Sequence, residues 1–159
     1  MATIWNLERR GILKQFQVPN DVVGRLPVRP LWMSQSLIEY LEDTLDYRPE
    51  KVASRTASEH LEQFFVDFRC NGRIHADDLR RMIPNRAGVW SMHPPMLRVY
   101  GWVPRHHAMI AVHAALESDT KNDPTLNDRC RDHVLEFIRR HGVTEIVYGD
   151  FRNAFPKAT

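Results

Sequence analysis

The chain has no apolar run approaching the roughly 18 residues that a bilayer span requires, and its 43% hydrophobic and 26% charged content is that of a globular chain, not a disordered one. Cysteine is scarce. Cys70 and Cys130 stand far apart, outside any CxxC or Cys/His ligand spacing, which points to reduced thiols and away from a disulfide framework or zinc ribbon. The eight histidines contain no HxH, HxxxH or HExxH spacing, so no metal site is read from them, and no motif calls for a cofactor. No GxSxG elbow frames a serine nucleophile. The opening MATIWNLERRG lacks a basic start followed by an apolar stretch, which predicts a cytoplasmic address with no membrane partner. Lysine is rare too: Lys14, Lys51, Lys121 and Lys157 leave eighteen of twenty-two cations as arginine. Arginine is the better fork for phosphate, but a GC-rich genome produces the same bias, and a net charge of +2 does not assign a nucleic-acid partner by itself.

What is present reads as one domain of 159 residues, without repeats or low-complexity tracts. Residues 1 to 21 suggest a short helix interrupted at Gly11 and ended by Val18-Pro19-Asn20-Asp21. The segment VVGRLPVRPLW suits an edge strand or extended chain, because its prolines cannot serve a central ladder. Ser36 followed by Glu39 forms a capping-box signature for a helix with Leu37, Ile38, Leu41 and Leu45 on one face, stopping before Pro49. Thr56 and Glu59 repeat the device ahead of Leu61, Phe64, Phe65 and Phe68, a core stripe, with Asn71-Gly72 as the stop. HADDLRRMIPN predicts one or two further helical turns.

Past that point the period changes to two. GVWSMHPP, LRVYGWV and AMIAVHAAL predict a three-strand meander, with the PRHH turn joining the second and third strands. A strict alternation puts Met109, Ala111, His113 and Ala115 on one face of the last strand. ESDTKNDP reads as a polar loop. TLNDRCRDHVLEFIRRHG predicts a helix with Leu126, Cys130, His133, Val134, Phe137 and Ile138 inward, a basic last turn, and Gly142 as its end. VTEIVYG then reads as one more strand, and the tail docks through Phe151 and Phe155. The expected fold is therefore α+β: an antiparallel sheet of three to five strands packed with two N-terminal helices and one C-terminal helix.

Several pieces follow a known pattern: Gly88-Val89-Trp90-Ser91-Met92-His93 on one strand, Arg98-Val99-Tyr100 on the next, an apolar strand from Ile110 to Leu116, then Thr120-Lys121 before the last helix. In this order the chain resembles the RelE/HigB toxin superfamily, especially its phage-derived branch, over about residues 22–141. The resemblance implies a RelE/ParE-like α+β domain at 22–142, with 1–21 as an N-terminal extension and 143–159 as an added strand and tail. It also implies an mRNA interferase that cleaves RNA, often ribosome-bound mRNA, without a metal or cofactor, restrained by an antitoxin or another protein partner. A homodimer is compatible with it.

Such cleavage needs a base for the 2′-hydroxyl proton, a cation for charge growing on the phosphate, and an acid for the leaving oxygen. Arg98 matches the family's strand arginine and is the expected phosphate cation; a cross-strand ion pair is its structural alternative. His93 and His113 are the expected acid or base. Lys121, Arg105 and Ser91 are the expected substrate contacts. The chain departs from the family pattern at Ser91, at the acidic Glu117 and Asp119 where relatives carry Lys or Arg, and in a last helix without tyrosine. Two other readings stand beside the nuclease: a toxin-fold binding module for RNA or protein without catalysis, and a phage accessory protein that engages a host protein through Trp5, Trp32 and Phe151.

Overall fold

The computed structural model describes residues 1–19, 27–70 and 74–156, and its centre is a mixed six-stranded sheet. In chain order the described strands are β1 (Leu13–Gln15), β2 (Leu31–Ser34), a two-residue hairpin of β3 (Lys51–Val52) and β4 (Arg55–Thr56), β5 (Leu79–Arg81), β6 (Trp90–Met92), β7 (Leu97–Trp102) and β8 (Met109–Leu116). The helices are α1 (Ile4–Arg9), α2 (Gln35–Asp43), α3 (Ala57–Cys70), α4 (Glu117–Asn122), α5 (Leu126–His141) and α6 (Phe151–Ala154). The sheet runs β1-β2-β8-β7-β6-β5; β2 lies parallel to β8 and every other pairing is antiparallel.

The sheet carries a core on each face. Leu97 and Val99 point to the side covered by Leu61, Phe65 and Phe68 of α3, Leu37 of α2 and Phe155 beyond α6. Tyr100 and Trp102 point to the side covered by Ile4 and Leu7 of α1 and by Cys130 and Val134 of α5. The phenylalanine stripe of α3 is core, as its spacing predicts, and its capping box is formed: the Thr56 amide donates to Glu59 Oε1 at 3.1 Å, and the Glu59 amide donates to Thr56 Oγ1 at 3.3 Å. Gly142 ends α5 with φ of 61°, a left-handed conformation that suits glycine. The tail docks through Phe155, whose ring meets Phe68 and Trp90 edge-on at centroid distances of 6.1 and 6.2 Å.

The α+β class is as expected, while the number, order and direction of the elements differ. Among the described residues the sheet has six strands and one parallel pair, and six α-helices pack around it. In the N-terminal segment, α1 seals one core and β1 extends the sheet beside β2. β2 is flanked on both sides and is no edge strand, because the prolines precede its four ladder residues; residues 20–26 of that expected segment, like the Asn71-Gly72 stop, lie outside the described residues. HADDLRR forms a turn and β5, since three strand residues are too few to show a period. The cap of α2 is Ser34, which accepts the Leu37 amide at 3.1 Å, and not Ser36. The expected loop after β8 is helical as α4. The expected strand after Gly142 makes one isolated bridge, Ala2 with Val143, and otherwise serves Trp102, whose indole donates to the Glu145 carbonyl at 3.0 Å.

One irregularity decides which way His113 faces. Tyr100 pairs with His113 and Gly101 with Ala111, so Val112 is an extra residue on β8. At Gly101 a Cβ atom would lie 1.7 Å from the Ile110 carbonyl oxygen, which no side chain tolerates. Gly101→Ala is therefore expected to destabilise the fold by about 1–3 kcal/mol, the usual cost of overpacking, read as a lower midpoint in chemical denaturation.

Candidate functional site

On the α5 side of the sheet, residues opposite one another form a polar row across four strands: Arg80 with Ser91, Ser91 with Tyr100, Tyr100 with His113. His93 continues β6 on the same face, two residues beyond Ser91, and Arg98 precedes Tyr100 by two on β7. Four of the six residues picked from the sequence, Ser91, His93, Arg98 and His113, thus share one face, and Lys121 of α4 meets its edge through Glu117. Within it they fall into two groups.

The first group sits at the open end of β6 and β7. Ser91 Oγ and His93 Nε2 are 2.8 Å apart, the tautomer deciding which donates. Burial, and then the nearby cations Arg98 and Arg80, push the His93 imidazole down to about 4, with Glu117 opposing them. It is neutral at pH 7. Arg98 is partly buried; one of its terminal nitrogens donates to its neighbour's carbonyl at Leu97 (2.8 Å), and the other lies 3.2 Å from Glu117 Oε1. The same carboxylate oxygen meets Lys121 Nζ at 2.8 Å. The Lys121 hydrogen bond chiefly, and then the Arg98 cation, hold the Glu117 carboxyl below its ordinary range. Glu117 opens α4 directly after β8, so the strand end and helix start bring it beside the strand cations. Two arginines and a lysine against one carboxylate leave this end net positive.

The second group is His113 and its neighbours. The fully buried Tyr100 ring stands between it and Ser91, and a strand spacing of about 4.8 Å puts Ser91 and His113 roughly 10 Å apart. Tyr100 donates to Asn127 Oδ1 at 2.5 Å, and burial beside Cys130 raises its pKa. His113 is stacked on His133 of α5, ring centroids 4.3 Å apart; burial, then the neighbouring imidazole, push it down to about 4. Without the bulge, the alternation would have turned His113 to the α3 side.

Arg105 does not join either group. It lies in the turn at the far end of β7, exposed, with its guanidinium 5.3 Å from the centroid of the Trp32 ring. Sequence reasoning missed Arg80, because the preceding stretch reads as helix; a strand there would have placed it opposite Ser91. Of the three aromatics considered for a host contact, Trp5 is 61% exposed but Trp32 only 4%. Among the described residues no group of three or more His, Cys, Asp or Glu is placed to hold a metal ion, and no helix is long and apolar enough to cross a membrane. No family model matches the chain, and neither does any curated protein or solved structure.

Both imidazoles bind protons less readily in the fold than in the unfolded chain. Between pH 6.5 and about 4 the unfolded state takes up protons that the folded state refuses, so stability is present above this window and is lost as pH falls through it. Each group contributes a slope of up to ~1.4 kcal/mol per pH unit. Denaturation midpoints measured from pH 7 to 4 should fall steadily, and His113→Gln should flatten the dependence.

Proposed function

We propose that this protein acts on RNA at the open end of β6 and β7 as a RelE/HigB-like mRNA interferase, cleaving a phosphodiester by 2′-hydroxyl attack without a metal. The observation that carries the reading is a neutral imidazole, His93, seated on Ser91 beside the guanidinium groups of Arg80 and Arg98. In this scheme His93 takes the 2′-hydroxyl proton and the 2′-oxygen bonds to phosphorus. Arg98 and Arg80 offset the charge that grows on the non-bridging oxygens. The bond to the 5′-oxygen breaks, Lys121 supplies that oxygen with a proton, and a 2′,3′-cyclic phosphate is left. The part of the resemblance that supports the reading is the antiparallel meander β6-β7-β8 ahead of the helix α5. His113, behind Tyr100 and stacked on His133, has no part in the step.

A second reading has its own observation. Glu117 sits between Arg98 and Lys121, where a phosphate oxygen would have to bind, and an RNA strand must displace it or accept its repulsion. That arrangement favours RNA binding without cleavage.

Inducible expression, scored by growth and by primer extension on total RNA, separates the two. The nuclease reading expects growth arrest and discrete cuts, with His93→Ala slowing cleavage by about 10²–10⁴-fold, the range for loss of a general base. Normal growth with intact transcripts rejects it. Salt-dependent RNA binding that tightens in Glu117→Gln would then establish the binding module.

A further inference from the structure

Beside the second polar group is a cavity of about 450 Å³ that the reading above does not use. It lies between α5 and the start of α2, and its chemistry is of three kinds. Phe137 and His141 present rings 4.5 Å apart, and the His133 ring packs on that of half-buried His113 at 4.3 Å. Arg140 and His141 line one wall, and burial, then the cations Arg140 and Arg10, lower the His141 pKa. The one carboxylate of the lining, Glu136, is held by Arg139, which donates to it at 2.8 Å through Nε and again through a terminal nitrogen. The Ser36 hydroxyl, 3.0 Å from that of Ser34, lies on the opposite wall.

We infer that this cavity is a binding site for a nucleoside phosphate: a flat ring against Phe137 and the two imidazoles, a phosphate on Arg140 and the Ser36 hydroxyl. Flat rings stack well on aromatic faces, and a guanidinium grips phosphate in a defined orientation. The volume is within the range of small-ligand sites and suits a mononucleotide. The carboxylate that would repel the phosphate is already neutralised by its helix neighbour, which leaves the wall net positive. A free mononucleotide and one unpaired nucleotide of an RNA strand share this chemistry. The site is independent of cleavage at His93, which lies across the Tyr100 ring from it.

The test titrates the full-length protein with inorganic phosphate, with AMP and UMP, and with a short 5′-phosphorylated single-stranded RNA, following histidine ring resonances by NMR and affinity by calorimetry. Binding of a mononucleotide or of the RNA with shifts at His133 and His141 supports the site, and which probe binds more tightly identifies the source. Arg140→Glu, at an exposed position, should weaken that binding by about tenfold, and Phe137→Leu should weaken the ring-bearing probes while leaving phosphate alone. His93→Ala should leave mononucleotide affinity unchanged, so a failed cleavage assay and a failed pocket are separate results. Absence of shifts with every probe overturns the proposal, as does equal affinity in Arg140→Glu or equal affinity for phosphate and for the nucleotides.

Discussion

At Gly101 the backbone of β7 lies against the Ile110 carbonyl of β8, and the register slips by one residue at that contact. The face that His113 takes is decided by this approach. Val112 becomes the extra residue and turns with His113 toward α5, while Ala114 returns to the α3 side. The ladder position lost at the bulge is compensated from the neighbouring strand: Ser34 Oγ donates to the Val112 carbonyl at 2.9 Å while accepting the Leu37 amide that opens α2. One hydroxyl therefore ties the parallel strand, the bulge and a helix start together. It is 1% exposed, so loss of either partner would leave a buried polar group unsatisfied.

The arginine excess has several uses. Arg29 and Arg69 are buried between β2 and α3; Arg29 donates to the Phe68 carbonyl at 3.1 Å, and Arg69 donates to the Arg29 carbonyl at 2.9 Å. Arg131 crosses from α5 to the Ile83 carbonyl at 2.7 Å. These forks work as backbone clamps. Arg80 and Arg98 lie where the sheet face opens, and there burial with adjacent cations keeps His93 unprotonated. The same two influences, burial and a basic neighbour, act on His113 inside the second group, where the neighbour is His133. A common physical cause thus gives two neutral imidazoles on one face, and position separates them: His93 is at a strand end, His113 across the Tyr100 ring.

Glu117 is the feature on which the chemistry of the open end turns. As an exposed acidic residue after an apolar strand it would matter little; one residue past β8, at the first position of α4, it is aimed at Arg98 and reached by Lys121 one helical turn later. Its bridge to Lys121, whose side chain is 72% exposed, is worth little in stability. For the proposed RNA site its consequence is competition, since a phosphate would meet an oxygen that is already in place.

The sequence by itself determined the elements with a long period or a local device. α3 was legible in its reciprocal Thr56–Glu59 cap and phenylalanine spacing, α5 in its stripe and Gly142, and the meander in its Val, Trp and Tyr runs and the turn between β7 and β8. It also placed Arg98 opposite in phase to Val99, because alternation holds along the first half of β7. Only the tertiary structure decided the rest. Three-residue strands such as β1 and β5 are too short to carry a pattern, and the parallel partner of β2 is nearly eighty residues away along the chain. The face of His113 depended on a bulge that originates in a close backbone contact between strands. That contact, like the Arg98–Glu117 pair, exists only once separate segments have been brought within a few ångströms, and no periodicity within either segment encodes it.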